Sequence, residues 1–143
     1  MPITLTNQAQ VIKELNKALG WELRAQAMYA HYAAYVKGLE MLTLESHFEE
    51  EATESFGHAK KVRAIIADLD GEAVTTRDSA AIVHTEDLTK MLEEALKTEQ
   101  AAADQYQKIM PMVKDHPVYA HTIYHIMMEE MKAVVEVEAL LNR

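Results

Sequence analysis

Asp70-Gly71-Glu72-Ala73-Val74-Thr75-Thr76-Arg77-Asp78-Ser79-Ala80-Ala81-Ile82-Val83-His84 is a long stretch of polar and small residues without a helical period, and it reads as a connection. Long amphipathic segments lie on both sides of it. The first runs from about Asn7, a good N-cap residue, to about Val36, with Ile12, Leu15, Leu19, Tyr29, Ala33 and Val36 on one stripe and Gly38 as a natural stop. The second runs from about Met41 to Leu69 and carries Leu44, Phe48, Val62, Ile65 and Leu69 on one face. The third is expected from near Thr85 to about Lys114, with Glu86 and Asp87 in its first turn, where the helix dipole favours negative charge. Leu88, Leu92, Ala95, Ala102 and Tyr106 mark its inner face, and Pro111 should bend or end it. Pro117 suits the first turn of a fourth segment reaching about Leu141.

The short joints around Gly38 and around Asp115-His116 make each outer pair an antiparallel hairpin. The middle link differs. A helix of about 28 residues is roughly 42 Å long, and a connection of about 15 residues stretches to roughly 50 Å. It can therefore run the length of the bundle, which sets the second and third helices parallel. The expectation is an all-α four-helix bundle, two hairpins joined by one long crossover, with residues 1–143 forming a single domain.

Composition agrees: 4 Gly and 3 Pro in 143 residues leave a chain that prefers helix nearly everywhere, and 49% hydrophobic residues suffice for one sizeable core. With no cysteine, any metal must be held by Glu, Asp and His. A net charge of −9 without a basic stripe lacks the footprint of a nucleic-acid binder and makes cations the better partner. Neither a leader nor a membrane-spanning run is visible, so the expected location is the cytoplasm.

Ionisable residues interrupt the apolar stripes. On the first helix these are Glu22 and Gln26, on the second Glu51, Ser55 and His58, on the third Glu99, and on the fourth Glu130. Counted from the hairpin turns at about 1.5 Å per residue, Glu99 and Glu130 fall at similar depth, as do Glu22 and Ser55. Buried carboxylates without partners cost several kcal/mol each, so they must share protons, meet cations or bind a metal. Three carboxylates with His58 form an oxygen and nitrogen shell suited to iron, manganese or zinc. Tyr29 and Tyr106 lie on inner stripes nearby. In an oxidase they are candidate catalytic residues that pass a proton or an electron, and otherwise they hydrogen-bond the carboxylates.

At these residues the chain resembles bacterioferritin and the wider ferritin-like di-iron family. Leu15-Asn16-Lys17-Ala18-Leu19-Gly20-Trp21-Glu22-Leu23 is similar to the family's first ligand helix, with Glu22 as terminal carboxylate and Tyr29 in place of its nearby tyrosine. His58-Ala59-Lys60-Lys61 is similar to the end of its second-helix Glu-x-x-His motif. Leu96-Lys97-Thr98-Glu99 and Ile126-Met127-Met128-Glu129-Glu130 resemble the third and fourth ligand segments. The second-helix motif reads Ser55-Phe56-Gly57-His58, so the bridging carboxylate is missing unless Glu54 or Glu51 replaces it. The fourth-helix motif reads Glu130-Met131-Lys132-Ala133, with Ala133 in the place of a histidine. The alternative register on Glu129 puts Lys132 there, and the stripe favours Glu130.

The resemblance implies iron binding with oxidation of Fe(II) at a single or incomplete di-iron site formed by Glu22, His58, Glu99 and Glu130, with Glu54 or Glu51 as substitutes. Phe56 stands where a bacterioferritin carries its haem-ligating Met, which argues against haem. The chain ends about where the fourth helix does, so the expected homo-oligomer is a dimer or small shell. The competing readings are a scaffold that has lost the di-metal centre, favoured by Ser55 and Ala133, and a manganese enzyme that consumes peroxide. His121 and His125, four apart, are more readily a helix surface than a second metal site, and the 9 Met are core filler or an oligomer seam.

Overall fold

The computed structural model describes residues 5–142. Four helices form: α1 Gln8–Tyr35, α2 Met41–Asp68, α3 Leu88–Val113 and α4 Pro117–Leu140. A 3-10 turn, Gly38–Glu40, lies between α1 and α2. Gly38 has a φ of +77°, a left-handed conformation that glycine adopts without strain. Asn7 occupies the N-cap of α1 with its side chain unused, and its carbonyl accepts from the Val11 N–H at 2.9 Å.

Two expectations need correction at α3. Glu86 and Asp87 lie before the helix, because Asp87 is itself the cap: its N–H donates to Thr85 Oγ1 at 3.0 Å and its Oδ1 accepts from the Lys90 N–H at 3.2 Å. Glu86 instead pairs with Lys37 at 2.7 Å. Pro111 does not stop α3, which continues to Val113. It sits in the last turn, where the hydrogen bond it forgoes is close to the helix end.

The connection does run as a crossover along α1. Leu69 O accepts from Gln8 Nε2 at 2.6 Å, and Asn16 clasps the strap twice, donating to Glu72 O and accepting from the Val74 N–H, each at 2.9 Å. The Asp78 N–H reaches Gly20 O at 2.9 Å, an approach so close that a Cβ on Gly20 would lie 3.3 Å from the Asp78 nitrogen. Arg24 donates to Ala80 O at 3.0 Å and Ala81 O at 2.8 Å, and Tyr32 donates to Val83 O at 2.7 Å. The strap is thus fixed to α1 by side chains that a single core stripe would not reveal.

Arg24 is buried and also hydrogen-bonds Thr98 on α3, so it ties three elements together. Hydrogen bonds from a charged donor are worth about 1.5–3 kcal/mol each. Arg24→Ala is expected to lower the unfolding free energy by about 3 kcal/mol in a urea titration. Faster amide hydrogen exchange confined to the strap should accompany it.

The core falls into two apolar clusters. One gathers Val11, Leu15 and Leu19 with Val62, Ile66, Tyr106, Ile109, Ile123 and Ile126. The other gathers Met28, Tyr29 and Tyr32 with Phe48, Met91, Leu92 and Val137. Along every helix the residues separating the two clusters include a buried carboxylate, with Glu22, Glu51, Glu99 and Glu130 on α1 to α4 in order. A polar layer therefore crosses the bundle between two greasy ones.

Candidate metal centre

His58 is the hub of that layer. Helix α2 carries it to the bundle interior, where it is 3% exposed among facing carboxylates. Its Nδ1 lies 2.9 Å from Glu130 Oε1 and 3.1 Å from Glu22 Oε2. Its Nε2 lies 3.0 Å from Glu129 Oε2 and 3.7 Å from Glu54 Oε1. Burial alone would lower the imidazole pKa, but hydrogen bonds to Glu130 and Glu22 outweigh it and push it up to about 11. At neutral pH the ring is an imidazolium that neutralises acids which would otherwise repel one another.

The acids divide into two groups, each closing on one side of the ring. Glu22, His58 and Glu130, all buried, offer ligand atoms within 4.8 Å of one another, and so do Glu54, His58 and Glu129 nearer the surface. Burial first, then the charge of Glu22, raises Glu130 to about 7. Burial first, then the charge of Glu51, raises Glu54 to about 7. Burial would also raise Glu129, but its hydrogen bond to His58 wins and lowers it.

Glu99 joins through its neighbours. Tyr29 OH donates to it at 2.6 Å, and burial followed by the charge of Glu130 holds its carboxyl well above the ordinary range. Tyr106 OH donates to Glu22 Oε2 at 2.8 Å. The other oxygen of Glu22, Oε1, is buried with no hydrogen-bond partner, a costly arrangement that a cation would relieve.

The geometry sorts the sequence candidates. Glu22, His58 and Glu130 meet, Glu54 reaches His58, and Glu99 and Tyr29 stand one contact away. Glu51 belongs to neither group around His58. Seven residues, two turns of α2 or roughly 10 Å, separate it from His58. The apolar stripe favours Glu130 over the alternative register on Glu129, yet both reach the ring from α4, because adjacent residues on this helix straddle it. Gln26 is only half-buried. Ser55 and Ala133 are buried and bring no carboxylate or imidazole.

A model of the ferritin-like domain matches residues 12–143. The chain belongs to the ferritin-like family. Among solved structures it is similar to a ferritin-like, diiron-carboxylate protein from Bacillus anthracis str. Ames, at 26% identity and a TM-score of 0.88, covering 96% of this chain and 99% of that one. It is also similar to a dodecameric thioferritin, the bacterioferritin-related protein of Bacteroides fragilis, at 24% identity and a TM-score of 0.88, over 95% of this chain and 86% of that one. A third likeness is to the Desulfovibrio desulfuricans bacterioferritin, which has a diiron site, at 24% identity and a TM-score of 0.83, over 93% of this chain and 78% of that one. No curated protein matches significantly. No described helix is long and apolar enough to cross a membrane.

Proposed function

We propose that this ferritin-like chain binds iron and oxidises Fe(II) at the Glu22–His58–Glu130 cluster, with dioxygen or peroxide as electron acceptor. The observation that carries the reading is the convergence of buried carboxylates from α1 and α4 on His58 of α2, with Glu22 Oε1 left unpartnered. Iron here is substrate. Each Fe(II) gives up one electron, and a pair of electrons with a pair of protons converts peroxide to water. Oxygen ligands would favour the more highly charged product ion and so lower the potential of the iron couple, while reduction of the acceptor supplies the driving force.

The residues divide the work. Glu22 and Glu130 would bind through oxygen and His58 through Nδ1 once the proton there has left, while its Nε2–H keeps its hydrogen bond to Glu129. Tyr106 and Tyr29 orient Glu22 and Glu99 by their hydrogen bonds, and Tyr29 is the residue placed to relay a proton or electron through Glu99. The degenerate motif favours a single ion or an unequal pair over a symmetric di-iron centre, with manganese or zinc as alternative occupants and no haem.

The reading assigns the chain to the cytoplasm as a homo-oligomer. Tyr124, Met128, Met131 and Val135 support the latter, because they form an exposed apolar stripe along α4. A second reading, a scaffold without catalysis, is favoured by one observation: the His58 imidazolium already compensates the buried acids without any metal. Anaerobic Fe(II) loading followed by air, read as ferric absorbance, separates the two. Oxidation above the buffer blank that Glu22→Gln abolishes is the expected result, and no oxidation with no retained metal leaves the scaffold.

A further inference from the structure

Where the strap nears α3, His84 faces His31 of α1, with His31 Nε2 2.9 Å from His84 Nδ1. The two rings come from separate elements, and His31 lies two and a half turns beyond Glu22, roughly 13 Å along α1. The strap is fastened on both sides of His84. Tyr32 holds Val83 O by a hydrogen bond of 2.7 Å, and Lys37 pairs with Glu86 at 2.7 Å. Tyr35, at the end of α1, packs against both imidazoles, its ring centroid 4.8 Å from that of His31 and 4.6 Å from that of His84. Backbone and rings are therefore brought together by contacts other than the one between the two histidines.

A hydrogen bond between two imidazoles needs one facing nitrogen with a proton and the other without. If that proton moves to the outer nitrogen of its own ring, both facing nitrogens offer lone pairs and no net proton is lost. An ion bound by two imidazoles at about 2.0–2.1 Å sets their nitrogens about 3 Å apart, and the observed separation is 2.9 Å. His31 is half-buried and His84 exposed, so the rings can turn to aim at one ion and water can complete its shell. The His58 centre is mostly oxygen, whereas this pair is all nitrogen, and imidazole suits zinc, copper and nickel.

We propose that His31 and His84 form a surface site for a nitrogen-preferring divalent ion of the zinc and copper class, which clips the strap to α1. The ion bonds to His31 Nε2 and His84 Nδ1, and water fills the remaining positions. One hydrogen bond gives way to two coordinate bonds between residues 53 apart in the chain, which suppresses local opening of the strap. With only two protein ligands the ion exchanges readily. Protons compete for the same nitrogens, so binding weakens as pH falls. No residue of the His58 cluster takes part, and the site does not rest on the iron reading.

Zn(II) is the probe. Amide hydrogen exchange followed by mass spectrometry should slow across residues 80–86 when Zn(II) is added to the parent, and equally in Glu22→Gln, where the inner centre is impaired. His31→Gln and His84→Gln each keep a polar side chain at the contact, and each should abolish that slowing. Each should also weaken Zn(II) binding at this site by at least about 10-fold in a calorimetric titration, since losing a residue that merely orients a ligand already costs about 10–100-fold. Anomalous scattering from a Zn(II)-soaked crystal should place a peak between the two rings. Strap exchange that Zn(II) leaves unchanged in the parent, slowing that persists in His84→Gln, or a titration that only one of the two substitutions weakens overturns the clip. Slowing lost in Glu22→Gln overturns it too, because the strap would then be answering the inner ion.

Discussion

Replacing His58 with alanine is expected to slow Fe(II) oxidation by about 100-fold and to destabilise the apo protein by about 3–5 kcal/mol at pH 7. The two effects have one cause. Among the described residues His58 is the sole basic side chain in the ligand groups of the polar layer, and its imidazolium faces Glu22, Glu130, Glu129 and Glu54 within 3.7 Å. Removing one partner of a buried ion pair strands the other, and here it strands Glu22 and Glu130, of which Glu130 is already raised by burial and then by the charge of Glu22. Removing a ligand costs at least as much as removing a residue that merely orients one, for which losses of about 10–100-fold are usual. Stopped-flow ferric absorbance and chemical denaturation measure the two quantities. His58→Gln separates charge from shape, since it restores a hydrogen-bonding side chain of similar reach without the positive charge. It should be nearly as unstable as His58→Ala. Equal stability of the parent and His58→Gln would mean that the ring is not charged and that the acids are held by some other means.

Much of this site could be read from the sequence because helical periodicity exposes a misfit. Glu22, His58, Glu99 and Glu130 each break an otherwise apolar stripe, and burial of one face turns such a break into a buried charge. The crossover was legible from arithmetic alone, as the length of residues 70–84 matches the length of a helix. Arg24, Glu14, Glu94 and Thr98 were not legible, although all are buried. They lie off the stripe that faces the bundle axis. Arg24 is covered by the strap, whose path a linear pattern does not encode, and Glu14 and Glu94 are shielded by neighbouring lysines and Gln105. Glu129 escaped for a related reason. Its side chain is 42% exposed, so the pattern assigns it to the surface, yet it leans back to His58 at 3.0 Å. Periodicity reports where a Cα points, and a glutamate is long enough to reach around the helix.

Protonation of the layer makes the apo and metal-loaded proteins respond oppositely to pH. Folding raises Glu51, Glu54 and Glu130 from 4.5 to about 7, so between those values the folded chain holds protons that the unfolded chain has released. Stability therefore falls as pH rises through that window. His58, raised from 6.5 to about 11, adds to the same trend: its contribution is complete below 6.5 and fades as pH climbs toward 11. Glu14 opposes them on the acid side, since its lowered pKa gives stability that is present above 4.5 and lost as pH drops through its folded value. Glu130 alone, deeply buried, accounts for about 3 kcal/mol between the limits. The apo protein is thus expected to melt about 8 °C higher at pH 5.5 than at pH 8.5. A bound divalent ion must displace those same protons from Glu130 and His58, so its affinity rises with pH and loading with Mn(II) should reverse the order of the two melting temperatures. Calorimetric melts at both pH values, with and without Mn(II), test the coupling. An apo protein more stable at pH 8.5 than at pH 5.5 would show that the acids are ionised without cost. A metal could then not be what their burial prepares for.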